Sequence, residues 1–266
     1  YFPIGVFGVY YALAIFPKLS ESAVRKKGEE FFSELSFGIR NILFWSLPIA
    51  FLFIVLRAHI VRVVLGAGAF DWNDTRLVAA SLATLSAMIV FEGLNTLLIR
   101  AFYALEKTWE PLWANVSASI TSVVSAIILL GLFGRFPEWL HGLSRVLRVG
   151  DIAETQVLAV AIALSLGSVL NFFLLSAKLR KTAEKAFGLA ARESIRPIAR
   201  IVAASALAGA ASYLTLLPFP ALLPTNTFLG IFVQGVTAGL AGFAVYFGVL
   251  YILRAEEFMS LLQSFR

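Results

Sequence analysis

Four polar residues stand close together inside an otherwise apolar stretch. Glu92, Asn95, Thr96 and Arg100 fall at helix angles of about 0, 300, 40 and 80 degrees if each residue advances by about 100 degrees. All four therefore share one arc of about 140 degrees. A charge placed in hydrocarbon costs about 2.5–3.5 kcal/mol or more, so such a stripe must face protein or water. One reading is the polar wall of a transport cavity. The other is an interhelical hydrogen-bond cluster, with Arg100 reaching the membrane interface.

Other polar groups are scattered more thinly. Asn171 lies late in an apolar span, where interhelical hydrogen bonding is expected. Asn115, Ser117, Ser119, Thr121, Ser122 and Ser125 make a second span rich in hydroxyls, which could bind a cation or line a cavity but is read here as small residues that permit close packing. Ser205 and Gly209 are four apart, as are Gly235 and Gly239, a spacing that lets helix backbones approach.

Soluble catalytic patterns are absent. The sequence has no Walker-A loop, no G-x-S-x-G and no H-E-x-x-H. With no Cys and two His among 266 residues, it offers no disulfide, no thiolate site and no His-based metal motif. Asp71, Asp74, Asp151 and Glu154 fall in two loops without forming a constellation. No enzyme activity, cofactor or metal is expected.

The elements that position these residues follow from composition. Apolar residues make up 59% of the chain and charged residues 14%, against roughly 45–50% and 25% for soluble globular domains. This is an all-α, polytopic membrane protein. The net charge of +6 belongs to loops between apolar spans, where it marks topology and lipid headgroup contact rather than nucleic acid.

Six full spans are expected at about 38–65, 77–103, 112–133, 156–177, 198–217 and 227–253, since only helices satisfy every backbone group within a single bilayer-crossing segment of this kind. Pro48 is expected to kink the first of them. The apolar run 3–16 precedes them and has about 14 residues, short of the roughly 20 a span needs. The expectation is a seventh helix cut within its length, with something before it. Residues 20–37 read as a surface helix leading into the span at 38, and 135–149 as an amphipathic helix in the outer interface.

Loop charge sets the orientation. Segments 17–40, 100–111, 178–200 and 254–266 hold sixteen of the 22 Lys and Arg residues. The positive-inside rule places these segments, and the C-terminus, in the cytoplasm. Arg196-Pro197 opens a helical hairpin whose outer turn holds Pro218, Pro220 and Pro224. The expected organisation is a core of 1–197 and a terminal two-helix hairpin with a cytoplasmic tail at 198–266.

The ordered text carries more than composition. It contains Pro3-Ile-Gly-Val-Phe-Gly8, Phe16-Pro-Lys-Leu-Ser20, Ser46-Leu-Pro-Ile-Ala50, Ile60-Val-Arg-Val-Val-Leu-Gly66 and Gly68-Ala-Phe-Asp71. Leu94-Asn-Thr-Leu-Leu-Ile-Arg-Ala-Phe-Tyr-Ala-Leu105 follows, with Pro111 opening the next helix. Together these pieces resemble the MurJ/MviN lipid II flippases of the multidrug/oligosaccharidyl-lipid/polysaccharide exporter superfamily. Residues 112–266 agree mainly in span number, loop charge and the extra terminal hairpin.

The resemblance implies a two-lobe protein of fourteen helices, of which this chain matches the second lobe from the eighth helix onward. It implies a bacterial inner-membrane transporter that moves lipid-linked peptidoglycan precursor, lipid II, from the inner to the outer leaflet by alternating access. The partners it implies are lipid II, membrane lipids and a missing N-terminal lobe. In the family the terminal helix pair forms a groove for the polyprenyl tail. Ser205, Gly209, Gly235 and Gly239 are the candidates for packing at that groove, and Glu92, Asn95, Thr96 and Arg100 for the substrate cavity. The family's cavity arginines lie mostly in the first lobe, so the residues that hold the pyrophosphate are expected outside this chain. Some members bind sodium through polar residues in the helix matching 112–133. Here only Ser122 and Ser125 lie at that depth, with no carboxylate. The alternatives are a sister exporter of another polyprenyl-linked glycan or a drug, a non-transporting membrane scaffold, and a membrane glycosyltransferase.

Overall fold

The computed structural model describes residues 8–66, 72–136, 142, 144–145, 147, 149, 156–189, 195–218 and 227–264. Every regular element among them is a helix: α1 (Tyr10–Val24), α2 (Gly28–Leu65), α3 (Trp72–Ala104), α4 (Trp109–Arg135), α5 (Val157–Phe187), α6 (Ile195–Leu216), α7 (Phe228–Ile252) and α8 (Glu256–Ser264). Six of them, α2 to α7, are long and apolar enough to cross a membrane. The protein is a multi-pass helical membrane protein. Its outward surface suits lipid rather than water: along α4, Leu112, Trp113, Ile120, Val123 and Ile127 are all exposed.

The six expected spans coincide with α2 to α7, but two helices run well past the apolar stretch. α2 begins at Gly28 rather than 38, so the expected surface helix at 20–37 does not exist as a separate element. Residues 20–24 end α1, and 28–37 form the first turns of α2. The amphipathic face of that segment covers protein: Phe31 is fully buried and its ring lies 5.3 Å from that of Phe187. α5 likewise continues ten residues beyond 177. Its polar extension carries an Arg180–Glu184 ion pair at 3.1 Å and stops where Gly188 takes a left-handed conformation. At 38 residues, α2 is about 57 Å long, nearly twice the roughly 30 Å of hydrocarbon it must cross.

Three other helix ends share one device. After α1, α3 and α7 the chain turns through Lys26, Glu106 and Arg254, each with positive φ. In each turn the following amide reaches back five residues, as Lys107 N–H does to the Phe102 carbonyl at 3.0 Å. This double-bonded cap satisfies carbonyls that a helix end leaves free. All three turns belong to the basic set of segments.

Helix α2 is the spine. It packs against α1, α3, α6 and α7, while α5 packs between α3 and α4. The core at the α2–α7 junction is aromatic, with Phe44, Trp45, Tyr246 and Phe247 in edge-on or tilted contact. Pro48 lies inside α2, which continues through it as a helix. A proline has no N–H, so the carbonyl four residues earlier, Phe44, cannot receive its regular helical bond. The Tyr246 hydroxyl donates to that carbonyl at 2.5 Å. Tyr246 is fully buried, with Ser205 beside it. In this setting a free carbonyl would have no water to turn to.

The expected interface helix at 135–149 lies largely outside the described residues, as do residues 3–7, 67–71, 219–226, Asp151 and Glu154. Of the described part, Leu147 accepts a hydrogen bond from Arg57 at 3.3 Å and Val149 is buried with Ala80 and Leu158.

Candidate functional site

α3 and α4 are joined by the tight turn at Glu106 yet hardly touch along their length, because α5 holds them apart while packing on both. The space between them is a polar cleft of about 320 Å³. Glu92, Asn95 and Thr96 line it from α3, Asn115, Ser119 and Ser122 from α4, and Gly167, Ser168 and Asn171 from α5. Glycine at 167 is what allows α5 to sit so close to α4, since a Cβ there would run into the Ser122 hydroxyl. Glu92 is twelve residues from the end of α3, or about 18 Å, which puts the cleft deep in the hydrocarbon zone.

A chain of hydrogen bonds organises it. Ser168 donates from its hydroxyl to Glu92 Oε1 at 2.7 Å. Asn95 donates through Nδ2 to the Ser168 carbonyl at 3.2 Å. Asn171 Nδ2 donates to Asn115 Oδ1 at 2.8 Å, bridging α5 and α4. The Thr96 hydroxyl turns back to the Glu92 carbonyl at 2.9 Å. The Oδ1 atoms of Asn95 and Asn171 are buried without a hydrogen-bond partner. Most buried side-chain oxygens are paired, so two orphaned acceptors in one small cleft are unusual.

Three of the four stripe residues thus meet in one place, and the fourth does not. Arg100 lies two turns further along α3 and places its guanidinium 5.9 Å from the Phe16 ring centre and 6.0 Å from that of Tyr103. Angular arc alone grouped it with Glu92, but eight residues add about 12 Å along the axis and carry it past the cleft. Ser168 is the residue the stripe analysis missed. Its signal is the i, i+3 series Ser165, Ser168, Asn171, a polar line down α5 that faces α3 and α4. The hydroxyls of Ser117, Thr121 and Ser122 on α4 bond carbonyls four residues back on their own helix.

The four small-residue candidates line neither this cleft nor the groove described next. Cβ atoms built on Gly209 and Gly239 would meet Phe51 and Leu56 of α2 at 3.5 Å, and one on Gly235 would meet His59 Cβ at 3.2 Å. All three glycines face α2, but a side-chain carbon would make ordinary contact at 209 and 239 and be tight only at 235. Ser205 is fully buried beside Tyr246.

A second, larger cavity of about 850 Å³ backs onto the opposite side of α3. Its walls are apolar side chains of α2, α3 and α5, including Leu47, Phe91 and Phe172, with the start of α6 at its rim and Arg180 at one end. The α3–α5 contact separates a polar space from an apolar one.

A family model described as lipid II flippase MurJ matches residues 1–234. The chain belongs to the lipid II flippase MurJ family. A probable lipid II flippase MurJ of Vibrio cholerae is 27% identical over 174 residues, covering 65% of this chain and 29% of that protein. The corresponding protein of Thermotoga maritima is 29% identical over 127 residues, covering 48% and 26%. That of Buchnera aphidicola is 24% identical over 201 residues, covering 76% and 34%. This MurJ-family chain therefore spans about a quarter to a third of the length of the curated relatives it matches.

Proposed function

We propose that the chain is the second-lobe part of a lipid II flippase, a transporter rather than a catalyst. It moves lipid-linked peptidoglycan precursor from the inner to the outer leaflet of the bacterial inner membrane by alternating access, together with an N-terminal lobe. The family match supports this, and one structural observation carries it: a carboxylate, a carboxamide and a hydroxyl, Glu92, Asn95 and Thr96, line a polar cleft deep in the membrane. Packing alone would close such a space or fill it with apolar groups. The charge of the loops supports a cytoplasmic C-terminus. Residues 1–197 act as the lobe's core, and 198–266 as a terminal hairpin clamped to α2.

The test is rescue of a flippase-depletion strain by the complete protein. Rescue by the wild type separates this reading from a sister exporter or a scaffold. Glu92→Ala and Asn95→Ala should impair growth while the protein level in the membrane is unchanged. Normal rescue by both variants would remove the cavity assignment.

A further inference from the structure

The larger, apolar cavity is a slot that helix packing leaves open. α5 packs on α3 and α6 packs on α2, but α5 and α6 hardly touch each other. The recess between them measures about 850 Å³, within the roughly 300–1,000 Å³ of cavities that hold one small molecule. Its floor is buried, with Leu43, Leu94 and Leu179, and its mouth is exposed, with Ala87, Phe173 and Ile195. Along α3 it runs from Ala83 to Leu98, about 22 Å of helix. That length accommodates a hydrocarbon chain crossing one leaflet, about half of a core roughly 30 Å thick.

Polarity is confined to one end. Ser176 and Arg180, both late in α5, are the only polar residues of the described lining. Loop charge assigns this end to the cytoplasm. Arg180 spends Nε on Glu184 at 3.1 Å, which leaves its two terminal nitrogens for another acceptor. Arginine uses that fork to hold phosphate in bidentate fashion. Lys181 on α5 and Arg196 and Arg200 on the first turns of α6 are exposed and add positive charge at the same end. A long apolar slot with one charged end fits an amphiphile with an anionic head. Glu184 offsets part of the charge on Arg180 and repels further negative charge, so a single phosphodiester suits the site better than a diphosphate.

We propose that this slot binds one anionic phospholipid of the inner leaflet. One acyl chain lies along Leu43 and Leu94, between α5 and α6, and the phosphate accepts hydrogen bonds from the terminal nitrogens of Arg180. The lipid fills the gap and ties the start of the terminal hairpin to the core. The site lies across α3 from the polar cleft, and α7 takes no part in its described lining, so it is separate from a groove formed by the terminal helix pair. The assignment does not depend on the transport reading above.

The experiment uses the purified, delipidated complete protein and three probes: phosphatidylglycerol, phosphatidylcholine with the same chains, and a polyprenyl diphosphate. Native mass spectrometry reads the dissociation constant of the first lipid bound. Ala87→Phe puts a ring into the mouth of the slot and should weaken both phospholipids about tenfold, or about 1.4 kcal/mol. Arg180→Gln should weaken phosphatidylglycerol about fivefold and change phosphatidylcholine by less than about twofold. Glu184→Gln removes the opposing charge and should strengthen phosphatidylglycerol about threefold. Arg180 and Glu184 stand on the polar extension of α5, so their opposite effects decide the matter even if Ala87→Phe fails to fold. Unchanged phosphatidylglycerol affinity in folded Ala87→Phe or in Arg180→Gln overturns the site, as does weaker binding in Glu184→Gln. Equal loss of both phospholipids in Arg180→Gln, or a wild type that binds the two alike, removes the headgroup contact and with it the proposal. If the polyprenyl diphosphate binds more tightly than phosphatidylglycerol and is the probe that Ala87→Phe weakens, the slot holds the carrier chain and the phospholipid assignment falls.

Discussion

Replacing Tyr246 by Phe should reveal what Pro48 does to α2. The substitution removes one oxygen and leaves the ring contacts with Phe44 and Phe247 in place. It strips the Phe44 carbonyl of its hydrogen bond at 2.5 Å from the Tyr246 hydroxyl. Pro48 cannot replace that bond, so the carbonyl is left unsatisfied in an apolar core. Leaving such a group unsatisfied costs about 1–3 kcal/mol, and measured interhelical bonds in membranes fall at the lower part of that range, about 0.6–1.7 kcal/mol. The expected loss is therefore about 1–2 kcal/mol. Tyr246→Phe also changes the surroundings of the neighbouring Ser205, so the single variant does not isolate the effect. A double-mutant cycle does. In a Pro48→Ala background, the new N–H at 48 can bond the Phe44 carbonyl, and the cost of losing the phenol should fall. The Ser205 contribution is the same in both backgrounds and cancels. Reversible unfolding in mixed detergent micelles gives the four free energies. A coupling below about 0.3 kcal/mol, within the additivity error, would refute the claim that Tyr246 compensates for the proline.

Three further outcomes follow from the packing. Glu106→Gly should stabilise the protein by about 0.5–1 kcal/mol, because the left-handed conformation costs a side-chain-bearing residue about 1–2 kcal/mol and glycine returns part of this as entropy; a lower unfolding midpoint would contradict it. Gly167→Ala should destabilise by about 1–3 kcal/mol through its clash with Ser122, with partial recovery by Ser122→Ala, read from the same unfolding curves. Arg40 pairs with Glu256 at 2.9 Å and with the buried Glu257 at 3.5 Å, so Arg40→Ala should speed hydrogen exchange across 256–264. Unchanged exchange there would mean that the stacking of Phe258 on Phe247 holds α8 by itself.

The six spans were legible because the bilayer imposes one length and one polarity on any helix that crosses it. What apolar length does not report is how far a helix continues into water. The ends of α2 and α5 depend on Phe31 meeting Phe187, and on local ion pairs and caps, and these carry no hydropathy signal. The lining of the polar cleft was legible in part. Glu92, Asn95 and Thr96 stood out because charge and amide groups in an apolar run are conspicuous. Arg100 shares their arc but not the cleft, since a helical wheel discards position along the axis. Ser168 was overlooked because a serine in a membrane helix is usually silent. Only its partner, Glu92 on another helix, gives it a role. The small-residue spacings did not show that the glycines at 209, 235 and 239 face α2, nor that only 235 sits tightly against it.

The hairpin of α3 and α4 has one more consequence. Two long rods joined at a single tight turn, and otherwise nearly out of contact, behave as a lever about that turn. Ser122 lies thirteen residues into α4, which starts at Trp109, or about 20 Å of helix. A rotation of about 10 degrees at the turn would sweep Ser122 through about 3.5 Å, more than the length of a hydrogen bond. The stiffness of four residues at the membrane edge, together with the packing of α5 on both rods, thus sets the width of a space far inside it.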